Sequence, residues 1–131
     1  MILSGCSGDF LDKQPSDKLS DEVFWKTAED FNMALTACYA ELQNHELYTW
    51  SVPYSECMTD NGYNYMQKLS SNTLSQGPIT PTTDGVGRIY TAEYANIARY
   101  NNFLKKLLEY AGGEITESDR IHMEAEVRLL R

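Results

Sequence analysis

Two tyrosines stand one residue apart in the middle of the chain, among side chains that can hydrogen-bond to hydroxyl groups. Tyr63 and Tyr65 would point to the same side of an extended segment. Aromatic faces suit the apolar C–H side of a sugar ring, and carboxylates and amides suit its hydroxyls. The candidate polar ligands of such a site are Asp60, Asn61, Asn64 and Asn72. The alternative is that both tyrosines only cover neighbouring helices.

No catalytic or metal-binding motif accompanies these residues in the sequence. The 19 acidic residues guarantee many carboxylate pairs, but none stands in a distinctive apolar setting. His45 and His122 are far apart, and His122 with Glu126 lacks the H-E-x-x-H pattern. Neither a glycine-rich phosphate loop nor a nucleophile elbow is present. We therefore expect a binding protein that is not an enzyme and uses no cofactor or metal.

The N-terminus carries a candidate modification site. Residues 3–6 read Leu-Ser-Gly-Cys, the order that bacterial lipoprotein signal peptidase accepts before the cysteine that is acylated. A basic segment and a long apolar segment normally precede this motif, but here only residues 1–3 stand before it. Chance is the alternative, since four-residue matches are common. We predict lipidation of Cys6, with 1–6 as the remnant of the signal and 7–19 as an extended tether arm pinned by Phe10 and Leu11.

The remaining cysteines bear on whether a disulfide forms, and the net charge bears on which binding partners can be excluded. Cys38 lies on an apolar helix face and is expected in the core. A Cys38–Cys57 disulfide is compatible with an exported protein, and the sequence leaves it open. A net charge of −8 argues against binding to nucleic acid and against adsorption to an anionic membrane surface.

Apolar spacing predicts an all-α domain over 20–131 that is cut off at its C-terminus. Ser20 is predicted to cap a short helical turn anchored by Phe24 and Trp25. Thr27, with Asp30 three residues later, marks the start of a helix over 28–43. Its apolar stripe is formed by Phe31, Ala34, Leu35, Cys38, Tyr39 and Leu42.

Two further helices are expected downstream of a long connection. One spans 86–111 and ends at two glycines; its predicted stripe contains Tyr90, Tyr94, Ile97, Ala98, Asn101, Leu104, Leu108 and Ala111. Asn101 in that stripe is either a ligand contact or a buried amide with a neighbouring partner. The other begins near Glu117 with Thr116 as its cap; its stripe contains Ile121, Ala125 and Leu129, widened by Met123, Val127 and Leu130.

The connection over 44–85 is rich in Pro, Gly, Ser, Thr and Asn, with aromatic residues between them. This composition predicts a long aromatic-rich loop, and 70–85 should be its solvated part. Trp50, close to the end of the first helix, is expected to pack against it.

Several segments in order resemble the SusD/RagB family of outer-membrane nutrient-binding lipoproteins of the Bacteroidetes. They are the sequences at 3–6, 9–12 with Pro15, 19–22, 24–27 with Asp30, 34–35, 37–39, 89–90, 94–97, 101–104, 124–126 and 129–131. They cover nearly the whole chain, but only the N-terminal part of a family member.

The resemblance implies tetratricopeptide-like helix pairs and a surface-facing place on the outer membrane, held by the lipid on Cys6. It further implies capture of oligosaccharides and their transfer to a TonB-dependent transporter, without hydrolysis. The alternative is a helical-repeat scaffold for protein interactions that binds no such ligand. Asp9 and Asp12 are the only acidic residues close behind Cys6, so the surface-export signal of these bacteria is sparse here.

Overall fold

The computed structural model describes residues 21, 23–49, 51–66 and 71–131, and these residues form helices and connecting segments. The α-helices are α1 (Ala28–Ala40), α2 (Ser51–Glu56), α3 (Ser71–Gln76), α4 (Asp84–Glu109) and α5 (Glu117–Leu130). A 3₁₀ turn, Glu41–Gln43, and a π-helical turn, His45–Thr49, follow α1. The all-α prediction is confirmed, while the tetratricopeptide-like pairing stays a prediction.

Two threonines begin the helices where the sequence predicts them. The Thr27 hydroxyl accepts from Asp30 N–H at 3.2 Å, and the Asp30 carboxylate accepts from Thr27 N–H at 2.8 Å. This reciprocal pair satisfies donors that the first turn of a helix leaves without a partner. Thr116 caps α5 in the same position, accepting from Asp119 N–H at 3.2 Å. Both predicted N-caps are therefore confirmed.

An aromatic cluster holds the start of α1 against the C-terminal half of α4. Phe31 contacts Trp25, Phe103 and Tyr110 edge-on, with ring centroids 5.2, 6.0 and 5.1 Å apart. The rest of the core comes from α1, α4 and α5, namely Cys38, Tyr100, Leu107, Met123 and Val127. Burial of such apolar side chains is the main favourable term in folding. Among the described residues, the core cluster is thus formed by α1, α4 and α5.

The buried face of α4 differs from the predicted one. Asn96, Tyr100, Phe103 and Leu107 are buried, whereas Tyr90, Tyr94 and Leu108 of the predicted stripe are exposed. The buried set also recurs at helical spacing, and its Phe103 ring meets Phe31 edge-on. The predicted stripe on α4 is therefore wrong in phase, although its Leu104 packs against the core. Asn101 is exposed and accepts from Arg131 at 3.1 Å, so the buried amide on this helix is Asn96.

The predicted stripe on α5 is corrected in the same way. Met123 and Val127 are buried and Leu130 packs against the core, while Ile121 and Leu129 are exposed. The first-named stripe therefore faces outward, and the residues expected only to widen it form the contact. The end of α4 also differs, because the helix stops at Glu109 and Tyr110 is extended before Gly112 is reached.

The connection over 44–85 contains more structure than the composition predicts. The π-helical turn, α2 and α3 all lie within it, and Ser71 and Asn72 are buried in the part expected to be solvated. Leu47 is buried as well. Cys38 is buried as expected, and Cys38 and Cys57 are free thiols, so the disulfide left open above is not formed.

Several predictions fall outside the residues that the structure describes. They are lipidation of Cys6, the arm over 7–19, the cap at Ser20 and the packing of Trp50. Within the described residues that follow Ser20, Phe24 and Trp25 lie in bends and not in a helical turn. Both are partly buried, and their rings meet edge-on with centroids 4.9 Å apart.

Candidate functional site

The two candidate tyrosines project from the segment between α2 and α3. Tyr63 is 67% exposed and Tyr65 is 90% exposed, while Asn64 between them is buried. The backbone is irregular at 62–64 and turns at Tyr65, so it is not extended throughout, which the predicted shared direction of the two side chains would require. Both phenol rings are exposed to solvent on one short segment.

Asn64 and Asn72 form the base of this segment. Asn64 N–H donates to the Asn72 side-chain oxygen at 2.9 Å, and the Asn72 amide donates back to the Asn64 carbonyl at 2.7 Å. The Asn64 amide also donates to the Ser71 hydroxyl at 3.0 Å. These bonds satisfy polar groups that would be costly to bury alone. Two of the six predicted ligand residues are thus brought together, as a clamp under the tyrosines.

Asp60 and Asn61 lie in the turn before the tyrosines, and both are exposed. The Thr59 hydroxyl donates to the Glu56 carbonyl at 2.7 Å and accepts from Asn61 N–H at 3.2 Å. Gly62 follows, where a Cβ atom would stand 3.2 Å from the Glu56 carbonyl oxygen. Any larger residue at this position would press on the backbone at the end of α2, which would have to move by a few tenths of an ångström. The turn therefore carries exposed Asp60 and Asn61 directly before the tyrosines in the chain.

This segment, 59–66 with Asn72, is named the tyrosine loop. Its outer surface offers two phenol rings, one carboxylate and one amide, a combination that can stack on apolar ring faces and hydrogen-bond to hydroxyls. In the described part of the chain, no group of three or more His, Cys, Asp or Glu side chains lies close enough together to hold a metal ion. The arrangement is suited to binding a neutral polar ligand at the surface.

A second exposed aromatic pair lies on α4, and the sequence interpretation assigned it to the core. Tyr90 and Tyr94 stack with ring centroids 4.3 Å apart and an interplanar angle of 29°. A hydrogen bond to Tyr94 raises the pKa of the Tyr90 hydroxyl. The spacing i, i+4 places the two rings side by side on a helix but does not say which face is covered. The sequence signal that could have identified the buried face of α4 was a second set of residues at helical spacing, Asn96, Tyr100, Phe103 and Leu107.

Comparison with known proteins gives one similarity in curated sequences. The chain is similar to SusD-like protein P38 of Formosa agariphila, with 31% identity over 110 residues. The aligned region is 82% of this chain and 21% of the relative, so the chain spans about a fifth of that protein's length. No family model matches the sequence, and no solved structure matches it. The resemblance noted from the sequence segments is supported at the level of SusD-like proteins.

The helices were also compared with the requirements of a membrane span. Within the described ranges, none of the helices combines the length with the apolar character needed to cross a bilayer.

Proposed function

We propose that this chain is the N-terminal part of a surface lipoprotein that captures oligosaccharides and does not hydrolyse them. In this proposal Cys6 carries the lipid that holds the protein on the outer membrane. The captured glycan passes to a TonB-dependent transporter, which is the protein partner. The sequence similarity to a SusD-like protein supports this role.

The observation that carries the proposal is the exposure of Tyr63 and Tyr65 above a hydrogen-bonded base. Aromatic side chains exposed close together form an apolar surface of the kind that often marks a ligand-binding site. The Asn64–Asn72 clamp limits the motion of the segment, so less conformational entropy is lost when a ligand binds. Asp60 and Asn61 are exposed in the same loop, and in this proposal they hydrogen-bond to hydroxyl groups of the bound sugar.

The test is affinity electrophoresis of the 131-residue chain in gels that contain a broad panel of oligosaccharides and polysaccharides. We expect retardation by at least one glycan class. Tyr63→Ala combined with Tyr65→Ala should weaken this binding at least about tenfold, a loss of about 1.4 kcal/mol. Tyr90→Ala is the matched control, since it removes an exposed tyrosine outside the tyrosine loop and should leave the retardation unchanged.

Three outcomes would contradict parts of the proposal. Equal loss of binding in Tyr90→Ala would move the glycan site away from the tyrosine loop. Release of shortened glycans in the same assay would overturn the non-enzymatic role. Absence of retardation with every glycan, together with retained binding to a transporter, would favour the helical-repeat scaffold.

A further inference from the structure

The charge around the tyrosine loop bears on which class of glycan it can bind. Between residues 27 and 87 the sequence has seven acidic residues and one basic residue, Lys68. Lys68 lies outside the described residues, and the described residues of α2, the tyrosine loop and α3 include no Lys or Arg. The described Lys and Arg residues lie directly before α1, on α4, and on or directly after α5. A ligand on the tyrosine loop therefore meets an acidic part of the chain.

Two carboxylate-bearing residues lie close to Tyr63 in the folded chain. Asp60 is exposed and stands three residues before Tyr63, so their Cα atoms are at most about 11 Å apart. Glu56 is also exposed, and its carbonyl oxygen lies 3.2 Å from the position of a Cβ atom on Gly62, the residue before Tyr63. The screening length at physiological ionic strength is about 8 Å, so both charges act on a ligand at Tyr63.

The cations of the described chain do not offset these two charges. Six of the eight described Lys and Arg residues are already in ion pairs, and neither Glu56 nor Asp60 takes part in an ion pair among the described residues. The pairs are Arg88 with Asp84, Arg99 with Glu41, Lys105 with Glu109, Lys106 with Asp21, Arg120 with Glu117 and Arg128 with Glu124. The carboxylates near Tyr63 therefore keep their full charge.

We propose that the tyrosine loop binds glycans without acidic groups and discriminates against glycans that carry carboxylate or sulfate groups. This inference rests on the proposed function of the loop and adds the charge class of its ligand. Tyr63 and Tyr65 offer apolar ring faces to either class of sugar. The Asp60 carboxylate only accepts hydrogen bonds, so it suits the hydroxyls of a neutral sugar and repels the anionic group of an acidic one.

Two ethers of one glycan test the effect of charge apart from the effect of shape. The probe is the glycan that most strongly retards the chain in affinity electrophoresis, converted to its hydroxyethyl and carboxymethyl ethers at the same degree of substitution. The two substituents are similar in size, and only the carboxymethyl group is charged. At 10 mM salt, isothermal titration calorimetry should give a Kd at least about tenfold higher for the carboxymethyl ether. In 1 M salt the screening length falls from about 30 Å to about 3 Å, so this ratio should fall to about two or less.

Removal of the carboxylate of Asp60 should reduce the same ratio. Asp60→Asn should lower the ratio of the two Kd values about threefold at 10 mM salt, because one repelling charge is lost. Glu29→Gln is the matched control, since it also removes one exposed carboxylate but lies on α1, outside the tyrosine loop. It should leave the ratio unchanged. Circular dichroism of each variant verifies that the helices remain folded.

The outcomes separate failure of the charge class from failure of the proposed function. Equal Kd values for the two ethers at 10 mM salt, or a ratio that 1 M salt does not change, would overturn the charge class. The proposed function would stand if Tyr63→Ala with Tyr65→Ala still abolished binding of the ethers. A strongest ligand that is itself acidic would overturn the charge class too, and loss of its binding in Lys68→Gln would assign the attraction to Lys68. Retardation by no glycan would overturn the proposed function and the charge class together.

Discussion

Thr27 and Asp30 fix the first turn of α1 through paired hydrogen bonds between side chains and backbone. The N–H and hydroxyl of Thr27 both donate to the Asp30 carboxylate, each at 2.8 Å. The backbone hydrogen bond from Thr27, with the hydroxyl as a second donor, lowers the pKa of Asp30 below its ordinary value. Bonding to the charged form therefore stabilises the folded chain above the unfolded pKa, and this contribution is lost as pH falls through the folded pKa.

Thr27→Ala should lower the free energy of unfolding by about 1 kcal/mol at neutral pH, the usual cost of a lost N-cap. Thr36→Ala is the control within the same helix, because the Thr36 hydroxyl only donates to the Asn32 carbonyl of the preceding turn. It should be neutral or slightly stabilising, since alanine has the higher helix propensity. Urea unfolding at pH 6 and pH 3 provides the measurement. The loss caused by Thr27→Ala should shrink at pH 3, and an equal loss at both pH values would contradict the role of the Asp30 carboxylate.

Asn64 and Asn72 show where residue types alone are ambiguous. An amide suits a sugar hydroxyl and a backbone N–H equally well, and in the sequence the two residues are eight positions apart with no regular spacing. In the structure the Asn72 side-chain amide bonds the backbone N–H and carbonyl of Asn64, and the Asn64 side-chain amide donates to the Ser71 hydroxyl. Their predicted contact with ligand stays a prediction, and their hydrogen bonds support the exposed Tyr63 and Tyr65.

At the scale of elements, sequence patterns located the helices better than they located the buried faces. In both N-caps the capping residue and its partner are three positions apart. Because the signal is local, both caps could be predicted directly from the sequence. The buried face of α4 is decided by Phe31 and Trp25, which lie some seventy residues earlier in the chain. Two apolar stripes compete on α4, and only this long-range contact chooses between them. The short helices α2 and α3 carry no such periodic signal.

Truncation of two leucines to alanine tests the corrected faces with the same chemical change. Leu107 on α4 is 2% exposed and belongs to the core, whereas Leu129 on α5 is 86% exposed. Leu107→Ala should therefore lower the free energy of unfolding by about 2–5 kcal/mol. Leu129→Ala should change it by less than about 0.5 kcal/mol. Denaturant unfolding compares the two, and a larger cost for Leu129→Ala would restore the face predicted from the sequence.

At the scale of the whole molecule, the net charge bears on how the chain could attach to a membrane. A net charge of −8 repels the anionic lipids that would attract a basic surface. Lys105, Arg120 and Arg128, which lie between α4 and α5, are each paired with a carboxylate, namely Glu109, Glu117 and Glu124. Electrostatic adsorption is therefore a poor explanation for any membrane association of this chain, and a lipid on Cys6 is the proposed one.

Attachment through a lipid on Cys6 should resist salt and should depend on the Cys6 thiol. The chain is expressed behind a complete lipoprotein signal peptide in a bacterium that acylates such signals. It should then sediment with membranes and resist washing with 1 M salt. At this salt concentration the screening length is about 3 Å, so attraction between exposed charges is largely removed. Cys6→Ala should move it to the soluble fraction, while Cys57→Ala, which removes a free thiol between α2 and the tyrosine loop, should leave it attached. Fractionation and immunoblotting measure the distribution. Release of the unmodified protein by salt would show that charge holds it, and continued sedimentation of Cys6→Ala would show that a contact other than the lipid does so.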